Sequence, residues 1–239
     1  VSLIKSLNKQ PASFAEKVIA FNNNLEYKGN LPDGFRVMNP FLENPETMIV
    51  MEQFYKKYYN DNNRRRFIIG INPSRHGAGT TGVPFTDTKR LLSICGIEMI
   101  SAYTHEVSSV FVYDVIEQYG GAAKFYGDFY INSPFPLAII RKYKNGNWLN
   151  ANYYDEKVLF NMVEDYMIDS LQKHIDLGLD CSEVFVWGKK NGGFIQKINQ
   201  KAGFFEKITV LEHPRYIQQY KSKEKQLYID KYIAAFAHQ

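Results

Sequence analysis

The chain has 239 residues, of which 45% are hydrophobic, 15% aromatic and 23% charged, a composition that suits one large globular domain or two small ones and excludes fibrous and disordered chains. Its 29 Lys and Arg residues outnumber its 25 Asp and Glu residues, and this slight excess permits a polyanionic partner without requiring one. No run of about 18 apolar residues occurs in the sequence, which excludes a membrane-spanning helix.

The first third of the chain predicts two helices around an irregular segment. The sequence SFAE at residues 13–16 is a capping box, which opens a helix that runs towards Asn24. Pro45 predicts the first turn of a second helix, which ends near Tyr59. We expect residues 30–44, between the two helices, to be irregular.

Four short β-rich runs follow, each separated from the next by a stretch with helical patterning. Parallel strands that are joined by helices produce this alternating order. The sequence therefore predicts an α/β fold with three layers, α/β/α, and a central, mostly parallel four-stranded sheet. The predicted strands are 66–71, 128–131, 183–187 and 207–211, and the predicted helices are 87–95, 106–119, 155–177, 193–202 and 224–236.

Nothing in the sequence marks a boundary between domains. No internal repeat or low-complexity tract occurs, and the polar breaks at 59–63 and 144–152 are short enough to be loops. We expect a single domain over residues 1–239, with a helical N-terminal portion over about 12–60.

The cysteines and the N-terminus bear on cofactors and location. Cys95 and Cys181 are too few for a four-thiolate zinc or iron–sulfur site and allow one disulfide at most. The polar start VSLIKSLNKQ lacks the apolar core of a secretory signal, although a chain that begins with Val leaves a removed leader open. We expect a cytoplasmic protein without metal or organic cofactor.

Polar residues follow the predicted strands at the edge where a parallel sheet binds its ligands. Asn72 and Asn132 follow the first two strands, Gly188 follows the third, and His213 with its neighbour Glu212 follows the last. Amides and an imidazole together can recognise a planar polar ligand, because they offer donors and acceptors side by side. Taken singly, each residue is equally compatible with a loop cap.

The segment after the first strand, residues 70–85, is rich in glycine and proline. Its glycines allow the backbone to approach a ligand closely and to present N–H groups. The segment matches neither the Walker pattern nor GxGxxG. It therefore favours a wall around a small ring, and generic phosphate binding is only weakly indicated.

Three stretches of the chain match the motifs of one family. Residues 70–73 (GINP) and 81–85 (TGVPF) are similar to a GMNP and a TGVPF motif, with the same interval between them. The sequence around Asn132 is similar to an Asn followed by a Pro-Leu segment, and residues 213–215 (HPR) are similar to a His-Pro loop. In their order and spacing over residues 35–236, these motifs resemble the uracil-DNA glycosylase superfamily, most closely its single-strand-selective monofunctional (SMUG-like) branch.

The resemblance implies a monofunctional DNA glycosylase that hydrolyses the N-glycosidic bond of uracil or a related deaminated base in base excision repair. Such cleavage passes through an oxocarbenium-like sugar, so the enzyme must stabilise a departing base anion and position a water. The resemblance assigns the water to Asn72 and the stabilisation of charge at the pyrimidine O2 to His213. It implies that Asn132 reads the base edge and that Phe85 stacks on the ring.

Two departures from the family pattern affect the expected site. The resemblance implies that Ile71, Pro73 and Ser74 contact the base, but Ser74 stands where the branch has Gly. Arg75 and His76 replace a Pro-Phe pair. The wall near pyrimidine C5, and with it the range of accepted bases, is therefore left open by the sequence.

The expected partner is DNA, bound by a monomer and without a membrane. Tyr216 follows Arg215 where the branch has a second Pro and an Arg, so either residue is a candidate wedge for the gap that a flipped base leaves. Lys189 and Lys190 follow a strand on the proposed DNA side and suit phosphate contacts.

The sequence leaves two other functions open. One is a nucleic-acid-binding protein of the same fold whose chemistry is altered by the change at residues 74–76. The other is an enzyme that processes free nucleosides or nucleotides. No lysine occupies a motif position, so a Schiff-base lyase activity is not suggested.

Overall fold

The computed structural model describes residues 12–237, and the polar start discussed above lies outside these residues. The described strands are β1 (Phe35–Met38), β2 (Arg66–Ile69), β3 (Phe129–Asn132), β4 (Ala138–Lys142), β5 (Trp148–Ala151), β6 (Asp180–Trp187) and β7 (Lys207–Leu211). The described helices are α1 (Phe14–Asn23), α2 (Pro40–Glu43), α3 (Pro45–Tyr58), α4 (Ala78–Thr81), α5 (Thr88–Ser93), α6 (Val107–Gln118), α7 (Ala122–Asp128), α8 (Lys157–Ile175), α9 (Lys189–Ala202), α10 (Pro214–Tyr220) and α11 (Lys225–Ala237).

Helices α1 and α3 begin at the residues that the sequence predicts. The Ser13 backbone N–H donates to the Glu16 carboxylate at 2.8 Å, and the Glu16 backbone N–H donates to Ser13 Oγ at 3.3 Å. Pro45 occupies the first turn of α3, and the Asn44 side chain accepts from the Glu46 backbone N–H. Both helices therefore begin where local capping chemistry places them.

The central sheet is parallel and has the strand order β3-β2-β6-β7. The two inner strands, β2 and β6, are buried on both faces over Phe67 to Ile69 and Val184 to Trp187, which are all 0% exposed. Parallel strands that are covered by helices show such continuous apolar runs. The three-layer α/β/α prediction, with a central four-stranded sheet, is confirmed.

A second, antiparallel sheet was not expected. It has the order β1-β4-β5. The prediction that residues 30–44 are irregular is wrong, because they contain β1 and α2, and the polar break at 144–152 includes β5. These strands are four or five residues long, too short for a clear period, and β1 pairs with a strand that lies about a hundred residues further along the chain.

Asn191, in the first turn of α9, ties together the ends of the two inner strands. Its buried Nδ2 donates to the carbonyl oxygens of Gly70 at 3.1 Å and Trp187 at 3.2 Å. Its Oδ1 accepts from the Tyr153 hydroxyl at 2.6 Å. Through these bonds, the chain that leaves β2, the chain that leaves β6 and the segment after β5 meet at the carboxyl edge of the central sheet.

The burial of His174 is expected to make folding sensitive to acid. It is fully buried in α8, 4.5 Å from the Phe21 ring centroid, and burial lowers its pKa to about 3. The unfolded chain, with an ordinary His pKa near 6.5, therefore binds the proton more readily between pH 6.5 and 3, and stability falls as the pH falls through this window. From pH 7 to pH 5, we expect His174 to lower the free energy of unfolding by about 2 kcal/mol.

Urea unfolding of the wild type and of His174→Leu, each at pH 7 and pH 5, measures this contribution. Between pH 7 and pH 5, we expect the free energy of unfolding to decrease by about 2 kcal/mol less in the variant than in the wild type. An equal acid dependence in both proteins would show that His174 is not the group that takes up the proton.

Candidate active site

An open cavity of about 540 Å³ lies at the carboxyl edge of the central sheet. Its size is in the range of cavities that hold small organic ligands. The end of β5, the start of α6 and the segments that follow β2, β3, β5, β6 and β7 all contribute to its wall. They supply Ile71, Asn72, Pro73, Ser74, Phe85, Glu106, Ser108, Ser133, Asn150, Tyr154, Lys189, Lys190, Glu212, His213, Arg215 and Tyr216, among others.

Asn72 is held from both sides by the chain that leaves β5. Its Nδ2 donates to the Ala151 carbonyl oxygen at 3.0 Å, and its Oδ1 accepts from the Tyr153 backbone N–H at 3.1 Å. A carbonyl and an N–H are unambiguous partners, so these bonds fix which way the amide points. The amide oxygen keeps a second lone pair, with which it can accept a hydrogen bond from water.

Phe85 lines the cavity with a strained backbone. Its φ is +53°, which places a bulky residue in the left-handed region. Packing holds it there: its ring centroid is 4.8 Å from that of Trp187 and 6.0 Å from that of His213. A Cβ on Gly70 would lie 2.9 Å from the Phe85 ring, so Gly70 leaves the space that this ring occupies. Strain kept in place by such packing is typical of functional positions.

His213 is the N-cap of α10, and this role fixes the proton on its ring. The Nδ1 atom accepts from the Arg215 backbone N–H at 3.1 Å, so the neutral ring carries its hydrogen on Nε2. Burial, with a smaller contribution from the Arg215 charge, lowers the pKa of His213 to about 4. At neutral pH the imidazole is therefore an uncharged hydrogen-bond donor.

Asn132 does not line the cavity, although the sequence placed it there with Asn72, Phe85 and His213. Its Nδ2 donates to the Tyr130 hydroxyl at 2.8 Å, and its Oδ1 accepts from the Ser133 backbone N–H at 2.8 Å. The next residue, Ser133, faces the cavity instead. Side chains alternate between the two faces of a strand, so neighbouring residues point in opposite directions. The sequence prediction was displaced by one position, and Ser133 rather than Asn132 points into the cavity.

The remaining predicted residues come together in the same cavity, but the wedge candidates are placed differently from the expected loop. Arg215 and Tyr216 lie in the first turn of α10 rather than at the tip of a loop. The Tyr216 side chain is 44% exposed, and its ring centroid lies 5.8 Å from that of Tyr220. Lys190 Nζ lies 4.6 Å from the centroid of the Tyr154 ring.

Glu106 is a cavity residue that the sequence did not single out. Its Oε1 accepts from the Ser74 hydroxyl at 2.7 Å, so the serine that departs from the family pattern is bonded to a carboxylate 32 positions further along the chain. The sequence offered one weak signal, an acidic residue directly before a helix. That signal does not reveal that Glu106 contacts Ser74.

Residues 12–237 hold neither a metal-binding cluster nor a helix that could span a membrane. No group of three or more His, Cys, Asp and Glu side chains in this range is arranged to hold a metal ion. None of its helices is both long and apolar enough to cross a membrane.

Comparison with known proteins agrees with the geometry of the cavity. The family model of the uracil DNA glycosylase superfamily matches residues 56–237. Among solved structures, the crystal structure of wild-type SMUG2 from Pedobacter heparinus is similar to this chain, with a TM-score of 0.91 and 50% sequence identity. The match covers 94% of this chain and 97% of that one. A search of curated proteins gives no match.

Proposed function

The chain belongs to the uracil-DNA glycosylase superfamily and is a DNA glycosylase, and we propose that the cavity beside Asn72 is where it hydrolyses the N-glycosidic bond of uracil or a related deaminated base in DNA. The observation that carries this proposal is the convergence of Asn72, Phe85 and His213 on one cavity. We also propose that the chain acts on DNA as a monomer.

The proposed reaction begins with a base flipped out of the DNA into the cavity. The base stacks on Phe85, and the Nε2–H of neutral His213 donates to the pyrimidine O2 as negative charge develops on the departing base. Asn72 Oδ1 accepts a hydrogen bond from the water that attacks C1′ of the sugar. The C1′–N bond breaks with its electron pair going to the base, and the water oxygen forms the new bond to C1′.

We assign recognition of the base edge to Ser133, with Asn132 as its support. Ser133 lines the cavity, and its hydroxyl can both donate and accept a hydrogen bond. Asn132 accepts from the Ser133 backbone N–H and donates to buried Tyr130, so it fixes the end of β3 from behind. Asn132 thus keeps a place in the site as a positioning residue.

The positive rim of the cavity suits the phosphates on either side of the flipped base. Lys189, Lys190 and Arg215 all line it, and their side chains neutralise phosphate charge without reading sequence. Tyr216 and Tyr220 add exposed aromatic surface at the same rim, which suits stacking against unpaired bases.

A cleavage assay tests the proposed function. Single- and double-stranded oligonucleotides that carry uracil, hypoxanthine or xanthine are incubated with the protein and then treated with alkali to reveal abasic sites. Strand scission at the altered base supports the glycosylase. Binding without scission would favour the binding protein, and release of base from mononucleosides alone would favour the nucleoside enzyme.

The double variant Arg215→Ala with Tyr216→Ala tests whether these residues form a wedge. A wedge replaces the stacking that a duplex loses when a base leaves it, whereas a single strand has less stacking to lose. We expect activity on duplex uracil to fall much more than activity on single-stranded uracil. The measurement is the excision rate on both substrates at two salt concentrations.

The matched comparison is Lys190→Ala, which removes a rim charge and leaves Arg215 and Tyr216 in place. Removal of a residue that only contacts phosphate lowers activity on both substrates together and makes the salt dependence shallower. The same pattern in the double variant would rule out the wedge and leave the glycosylase reaction intact.

A further inference from the structure

Two carboxylates line the cavity, and they differ in their partners. Glu212 is ion-paired: Lys231 Nζ lies 2.9 and 3.1 Å from its two oxygens. Burial alone would raise the pKa of this carboxyl, but Lys231 and Lys189 hold it below its usual range. Within residues 12–237, Glu106 has no such ion pair, and burial raises its pKa. Of the two, Glu106 is therefore the better proton acceptor near neutral pH.

The two carboxylate oxygens of Glu106 differ in their hydrogen bonds. Oε1 accepts from the Ser74 hydroxyl. Oε2 is buried and makes no hydrogen bond within residues 12–237, although the Ser108 hydroxyl lies near the carboxylate and lowers its pKa. A buried carboxylate oxygen without a partner is costly, so such an atom indicates a missing partner from substrate or water.

Glycine at position 77 makes room for this carboxylate. A Cβ on Gly77 would collide with Glu106 Oε2 and would lie 3.0 Å from Oε1. Gly77 belongs to the turn between Ser74 and α4, where the Gly77 and Gly79 backbone N–H groups both donate to the Ser74 carbonyl oxygen. The turn that follows Asn72 is thus shaped to hold the Glu106 side chain against Ser74.

The proposed reaction needs a group that takes a proton from the attacking water. The amide of Asn72 orients water but is too weak a base to accept its proton. The Nδ1 atom of His213 already accepts from the Arg215 backbone N–H, and its Nε2 carries a hydrogen. Neither residue can perform this step.

On the basis of the proposed function, we propose that Glu106 is a catalytic residue whose carboxylate accepts the proton of the water that Asn72 orients. As the water oxygen bonds to C1′ and the C1′–N pair departs with the base, one water proton passes to Glu106. That proton then passes to the base anion, which leaves as the neutral base and restores the carboxylate. Ser74 holds Oε1 so that Oε2 receives the proton.

The first test is the single-turnover excision rate of Glu106→Gln on uracil-containing DNA. Gln keeps the shape of Glu106 and an oxygen for Ser74, but it cannot accept a proton. Removal of a general base costs about 10²- to 10⁴-fold in rate, so we expect a loss of at least about 100-fold, with unchanged binding to an abasic-site oligonucleotide. The matched control is Glu117→Gln, an exposed glutamate of α6, which should keep the wild-type rate.

The pH profile separates proton transfer from a structural role. Four neighbours act on Glu106: Asp87 raises its pKa further, whereas Ser74, Ser108 and Arg215 lower it. The wild-type rate should fall on the acid side as Glu106 becomes protonated, at a pH above the usual range of carboxyl groups. This acid limb should be absent in Glu106→Gln.

Chemical rescue completes the test. Glu106→Ala leaves a space beside Gly77 that formate can enter, so added formate should restore part of the rate of Glu106→Ala and none of the rate of Asn72→Ala. A Glu106→Gln enzyme within threefold of the wild-type rate overturns the proposal, and so does a slow enzyme that keeps the acid limb with no formate response in the Ala variant. A wild type that cleaves none of the altered bases would instead overturn the proposed function.

Discussion

Replacing Asn72 with Ala is expected to lower the single-turnover rate of uracil excision by at least about 100-fold, because displacement of a reacting group by about 1 Å already costs this much. Binding to DNA should remain nearly unchanged, since Asn72 orients water and contacts no phosphate in the proposed reaction. The rate comes from quenched-flow measurement of alkali-labile sites. Affinity comes from titration of an abasic-site oligonucleotide.

The control for this prediction must account for the two backbone bonds of Asn72. Its amide holds the Ala151 carbonyl and the Tyr153 N–H, so Asn72→Ala should also lower the unfolding midpoint slightly. Asn145→Ala, an exposed loop variant outside the cavity, should change neither rate nor affinity. An affinity loss as large as the rate loss in Asn72→Ala would contradict the water-orienting role.

Replacing His213 with Ala is expected to raise the barrier to excision by about 2.7 to 4 kcal/mol, the usual cost of removing a donor that stabilises developing negative charge in a dry site. The expected rate loss is on the order of 10²- to 10³-fold. Because burial lowers the pKa of His213 to about 4, its ring is neutral throughout the range from pH 6 to 8. No His213 titration should therefore appear in the wild-type rate over that range.

His213→Asn separates catalysis from helix capping. Asn is a good N-cap and can accept from the Arg215 backbone N–H as His213 does, but it lacks the Nε2–H. We expect His213→Asn to be as slow as His213→Ala, while only the Ala variant loses about 1 kcal/mol of stability from the lost cap. A full rate in either variant would exclude His213 from stabilising the leaving base.

Local patterns in the sequence were sufficient for the central architecture. The capping box at Ser13, Pro45 at the start of α3 and the continuous apolar runs of β2 and β6 are chemical features of adjacent residues, and each element forms where its own residues predict it. The order of these elements then restricts the topology to a parallel sheet with helical crossovers. Motif spacing likewise placed Asn72, Phe85 and His213 at one edge, where they line one cavity.

The sequence alone thus determined the α/β architecture and the edge of the sheet at which the site lies, because helix periodicity, strand burial and capping depend on neighbours along the chain. Only the tertiary structure decided the pairing of β1 with β4, the inward choice of Ser133 over Asn132, and the contact between Glu106 and Ser74. These features depend on which distant residues pack together and in which register. A shift of one residue, or a partner 32 positions away, changes a side chain's role without changing any local pattern.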